Sequence, residues 1–125
     1  MSSSDEPVLR FIAASFPSVW ALEVVLALRR ERRIWTYEEL VATLRASELV
    51  VSKALAALVA AGLASVDDEG AVYLPVNRET DECMDRVEQL YRTRANAVRR
   101  AIISATTSSV TAFANAFKLR GGSNE

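Results

Sequence analysis

Apolar residues recur along most of this chain at spacings of three and four, the period of a helix with one buried face. Val8, Leu9, Ile12 and Phe16 form the first set. They follow Asp5-Glu6-Pro7, where acids and a proline suit a helix start. Pro17-Ser18 interrupts it. Val19, Trp20, Leu22, Val25, Leu26 and Leu28 then make a stripe too broad for a solvated helix, so residues 19–32 are placed in the core. Ile34-Trp35 is short and β-prone. Thr36 and Glu39 stand at capping-box spacing and open a helix with Leu40, Val41 and Leu44 inward. Ser47 is a good N-cap for the next helix, which turns Val51, Ala54, Leu55, Leu58 and Val59 inward and stops at Gly62.

The period then shortens. Two β-prone runs, residues 63–66 and 71–74, flank Asp67-Asp68-Glu69-Gly70, the pattern of a hairpin, and Pro75 closes the second strand. A long helix is predicted from Thr80 to about Ala105, where the Thr106–Ser109 cluster ends it. Residues 110–119 are expected to form a short amphipathic segment, with Phe113 and Phe117 four apart. Residues 1–7 and 121–125 are expected to be disordered.

Composition narrows the function classes. Half of the 125 residues are hydrophobic and a quarter are charged, a globular balance. The net charge of -1 gives no global basic field, so a nucleic-acid partner would have to be met by local patches. With one cysteine, Cys83, and no histidine, the chain cannot form an internal disulfide, a usual zinc site, or a Ser-His-Asp or Cys-His centre. Asp81 and Asp85, one helical turn apart, read as solvated helix-start charges rather than catalytic carboxylates. No enzyme activity, metal or cofactor is expected. The polar N-terminus is unlike a signal peptide and no apolar run reaches membrane-spanning length, so the expected compartment is the cytoplasm, with no membrane partner.

The predicted order is helix, helix, short strand, helix, turn, helix, hairpin. With Glu39-Leu40, Ser47, Val51-Ser52, Leu55, Leu58 and Gly62-Leu63 at their spacings, residues 36–74 resemble the winged helix-turn-helix of bacterial regulators of the MarR and PadR kind. The fold class this implies is mainly α with a small β-hairpin wing: a winged helix-turn-helix domain over residues 8–76 and a C-terminal helical arm over residues 77–120. The resemblance also implies a sequence-specific, DNA-binding transcriptional regulator. Ser47, Glu48, Leu49, Val50, Ser52 and Lys53 would then face the major groove. Arg45 and the run Arg29, Arg30, Arg32 and Arg33 would hold phosphates.

Two features depart from that pattern. The groove-facing set has a single cation and no Arg, Asn or Gln, so it offers few bidentate base contacts. The expected wing tip is acidic, with Asp67, Asp68 and Glu69. A second reading therefore stands beside the first: a winged helix reused to bind a protein, with Leu49, Val50 and Ala56 as the docking patch.

Met84, Val87, Leu90, Tyr91, Val98 and Ile102 lie near a heptad seam on the long helix. Its first half is acidic and its second half basic. Two copies could pair antiparallel through this seam, completed by Phe113 and Phe117, to give a homodimer suited to a two-fold DNA site. The alternative is that the arm folds back on its own domain.

Overall fold

The computed structural model describes residues 2–106, with side chains from residue 5 onward. It is mainly helical with one two-stranded antiparallel hairpin. Helix α1 spans Ser2–Ser15, α2 Val19–Arg30, α3 Tyr37–Leu44, α4 Glu48–Ala60, β1 Ala64–Val66, β2 Ala71–Tyr73 and α5 Arg78–Thr93. A last helix, α6, covers residues 95–106. No single helix among the described residues is long and apolar enough to cross a membrane.

Helix α2 is the centre. Eight of its residues, Ala21, Leu22 and Val24 through Arg29, are buried, as a stripe that wide requires. The Ser18 hydroxyl caps its start by accepting from the Ala21 amide at 3.2 Å. Helices α3 and α4 and strand β2 pack on α2, and α5 packs on α1. Helix α1 meets α2 at 105° across the break at Pro17.

In the hairpin, Ala64 pairs with Tyr73, Ser65 with Val72 and Val66 with Ala71. Trp35 adds an antiparallel bridge to Ala71, with both amide-to-carbonyl bonds at 2.8 Å. Of the β-prone pair at 34–35, Trp35 thus joins the hairpin through this single bridge. The Asp67 carboxylate organises the turn, accepting from the Glu69 amide at 2.9 Å and the Gly70 amide at 3.3 Å. Gly70 is required there. Its φ is +145°, and a Cβ would lie 2.1 Å from the Trp35 carbonyl oxygen.

Three expectations are corrected. Residues 2–7 begin α1 instead of being disordered, and Val8 is already in the core. The long helix starts at Arg78, because Asn77 rather than Thr80 supplies the cap and accepts from the Thr80 amide at 2.8 Å. That helix is also not continuous. Arg94 leaves the helical region (φ -137°, ψ 57°), and its guanidinium reaches Asp5 of α1 at 2.7 Å. The bend turns α6 so that Val98 and Ile102 enter the same core as Met84, Val87 and Leu90.

Candidate functional site

Helix α3 is eight residues long and opens with the complete capping box. The Thr36 hydroxyl accepts from the Glu39 amide at 3.1 Å, and the Glu39 carboxylate accepts from the Thr36 amide at 2.9 Å. That bond and the neighbouring Arg33 hold the Glu39 carboxyl below its ordinary range. Arg45 ends the helix in the left-handed region (φ 54°, ψ 43°), and the Ala46 amide bonds back to the Val41 carbonyl at 3.2 Å. This six-to-one bond is the Schellman closure, usually made with glycine at the left-handed position. Ser47 then caps α4, accepting from the Val50 amide at 3.1 Å. A second Schellman closure ends α4, with Gly62 at φ +75° and the Leu63 amide bonded to the Leu58 carbonyl at 2.9 Å.

Leu40 of α3 and Val51, Ala54, Leu55 and Leu58 of α4 are buried. Burying that face leaves Glu48, Leu49, Ser52, Lys53, Ala56, Val59 and Ala60 exposed on the other side of α4, with Val50 half-buried. Val59, expected inward, is 47% exposed. It falls one position past Leu58, outside the arc that α2 and α3 cover.

The arginines divide into two groups. Arg29 is corrected: it is 6% exposed and faces no solvent. Its guanidinium bonds to Asp85 and, at 3.0 Å, to Glu88. It lies 3.6 Å from Asp81 and stacks over the Tyr73 ring at 5.0 Å. The Tyr73 hydroxyl donates to Asp81 at 2.6 Å. Burial first, and this hydrogen bond second, push the Tyr73 phenol well above its ordinary range. Asp81 and Asp85, expected as solvated charges, therefore tie α5 to α2 and the hairpin.

Arg32 lies over the same Tyr73 ring and 4.0 Å from Asp81. Arg33 pairs with Glu31 and Glu39 and stacks on Trp35 at 4.1 Å. Arg30, Arg45 and Lys53 make no ion pair among the described residues and are exposed. Arg30 borders a cleft of about 340 Å³ whose other wall includes Ala42 and Thr43 of α3. A cationic group thus flanks the α3–α4 pair at the end of α2, at the turn and on α4 itself. The acidic loop, Asp67 to Glu69, is exposed.

The expected pairing seam is also corrected. Met84, Val87, Leu90, Val98 and Ile102 are all buried in this chain's own core. Tyr91 is half-buried, donates to Glu23 of α2 and lies under Arg99. Burial and the Glu23 contact raise its phenol above the ordinary range. Phe113 and Phe117 lie outside the described residues. Cys83 is half-buried, and burial pushes its thiol up despite Arg86 nearby, the opposite of what a reactive thiolate needs.

The sequence matches no protein-family model, and neither the curated proteins nor the solved structures contain a match to it.

Proposed function

We propose that this chain binds double-stranded DNA through the outer face of α4, as a winged helix-turn-helix transcriptional regulator with the hairpin as its wing. One observation carries the reading: an eight-residue helix, a three-residue turn whose first residue is left-handed, and a capped second helix with a bare outer face. Helix-turn-helix units join their helices by such a turn and lay the second helix in the major groove. Serine, lysine and a leucine at the start of that face suit this use. Ser52 offers hydrogen bonds to base edges, and Leu49 offers contact to thymine methyl groups. Arg30, Arg45 and Lys53 are the phosphate contacts. Arg29, Arg32 and Arg33 are withdrawn from that role because carboxylates and aromatic rings already hold them.

Regulators of this type act as homodimers on two-fold sites, and we carry that into the proposal. The pairing surface must differ from the seam read off the sequence, since that seam is occupied. Among the described residues, Trp20 and Ile103 are the large apolar side chains left exposed on α2 and α6, at 40% and 57%.

The test is enrichment of duplexes from a random-sequence pool by the purified protein, with Lys53→Glu as the control. The reading expects a recurrent, two-fold motif for the parent protein and none for the variant. Pools left unenriched by the parent would refute it.

A second reading has its own observation. Leu49, Val59, Leu74 and Val76 are 63%, 47%, 58% and 70% exposed, and the acidic loop stands at the hairpin tip. That surface suits a protein partner carrying apolar and basic groups. Binding of such a partner would respond weakly to salt, whereas DNA binding responds steeply.

A further inference from the structure

Beside the C-terminal end of α4's outer face, where Ala60 belongs to both, α1, α4 and α6 converge on an open trough of about 510 Å³. Its lining includes Ala13 and Ala14 from α1, Ala57, Ala60 and Ala61 from α4 and its end, and Ala105 from α6. Methyl groups from three helices leave the surface between them hollow. Among the described residues, no charged group lines the trough. Sites for small molecules need fixed polar groups to orient the ligand. One hydroxyl here, that of Thr106, already donates to the Pro17 carbonyl at 3.1 Å. The trough therefore suits an apolar occupant held by shape.

Thr106 is also where the described chain ends, on the rim of the trough. Nineteen residues follow it, 107–125. Residues 107–117 carry no charge and hold Val110, Phe113 and Phe117 at helical spacing, with alanines between them. An uncharged stretch with two phenylalanines gains by leaving water. Residues 107–109 can span about 10 Å, enough to turn back from Thr106 onto the trough.

We propose that the trough is covered by residues 110–119 of the same chain, with Phe113 and Phe117 seated against the alanine methyls. Tethering favours the chain's own segment over a second copy's. A short linker supplies an effective concentration in the millimolar range, far above that of a second copy in a micromolar solution.

The experiment is disulfide trapping in the full chain with Cys83→Ser. Ala60→Cys on the rim is combined with Ala112→Cys or with Ala116→Cys, and Thr43→Cys on α3 replaces the rim cysteine as control. A disulfide needs Cα atoms within about 7 Å, so closure reports contact. The proposal expects one rim pair to close within single chains, at a rate independent of protein concentration, while the control pairs stay reduced. Rim pairs that close no faster than the controls would overturn it. So would a bond formed mainly between copies at a rate rising with concentration, which would assign the segment to a partner chain. In a second measurement, Phe113→Ser with Phe117→Ser should lower the melting temperature of the full chain by about 5 °C or more. An unchanged melting temperature would equally overturn it.

Discussion

Arg45 is the residue where fold and proposed function pull in opposite directions. It holds a left-handed conformation, at φ 54° and ψ 43°, that closes α3. For a residue with a Cβ that conformation costs about 1–2 kcal/mol. Glycine removes the cost but gains freedom in the unfolded chain worth about 0.4–1 kcal/mol. Arg45→Gly should therefore stabilise the fold by roughly 0.5–1 kcal/mol, a rise of about 2–4 °C in melting temperature for a chain this size. Arg45→Ala keeps the strain and removes the charge, so its melting temperature should stay within about 1 °C of the parent's. Both variants lose one phosphate contact. Each should flatten the slope of log K against log salt by about 0.9 for every copy bound. Circular dichroism melts and fluorescence anisotropy on a labelled duplex, with parent, glycine and alanine variants side by side, measure both effects. A glycine variant that melts at or below the alanine variant would refute the strain argument. Variants that bind DNA with the parent's affinity and salt slope would refute the role given to this cation.

Other expected outcomes follow from the same geometry. Gly70→Ala forces a Cβ to within 2.1 Å of the Trp35 carbonyl oxygen. It should break the Trp35–Ala71 bridge and cost about 3 kcal/mol in denaturant melts. Gly62→Ala meets only the Val76 side chain at 3.2 Å and should cost about 1–2 kcal/mol; equal losses would contradict this ordering. Arg29→Ala leaves Asp81, Asp85 and Glu88 without their shared cation. A broken buried pair costs about 3–5 kcal/mol. Because these carboxylates keep part of their hydration, with Asp85 67% exposed, about 2–3 kcal/mol is expected, and a loss below 1 kcal/mol would remove Arg29 as the clamp on α5. The raised Tyr73 and Tyr91 phenols favour the protonated form in the folded state. Their contribution is intact below the unfolded value of about 10 and is lost as pH rises from there toward the folded values. Melting temperature should fall above about pH 10, and Tyr73→Phe should lessen the fall; a variant with the parent's full decline would contradict this assignment.

What could be read in the sequence was local. The Thr36–Glu39 box, the Ser47 cap, the Gly62 closure and the Asp67–Gly70 turn each involve residues within a few positions of one another, and the structure contains all four. What could not be read was set at long range. Arg29 meets its carboxylates 52 to 59 positions along the chain, and its charge alone does not separate it from its exposed neighbours. Being the member on α2's buried face is the signal that could have done so. The stripe from Met84 to Ile102 was correctly apolar, but periodicity does not say which surface covers a stripe. The break at Arg94 involves neither glycine nor proline. It accompanies a pairing with Asp5, 89 positions away, and the gain from burying Val98 and Ile102. The candidate site follows the same division. The turn and the exposed face of α4 were legible, whereas which arginines remained free depended on tertiary partners.

DNA binding of this kind requires α4 to present its outer face to a phosphate backbone, and the salt dependence of binding to a mixed-sequence duplex is its sharpest test. With Arg30, Arg45 and Lys53 as the contacts, one copy should show a slope near -2.7 and two copies near -5.4, at about 0.9 per phosphate. Raising salt from 50 to 200 mM should then weaken binding about 40-fold for one copy and about 2,000-fold for two. Lys53→Glu should lower the affinity and flatten the slope. No binding at 50 mM salt, or binding that is indifferent both to salt and to Lys53→Glu, would contradict the account.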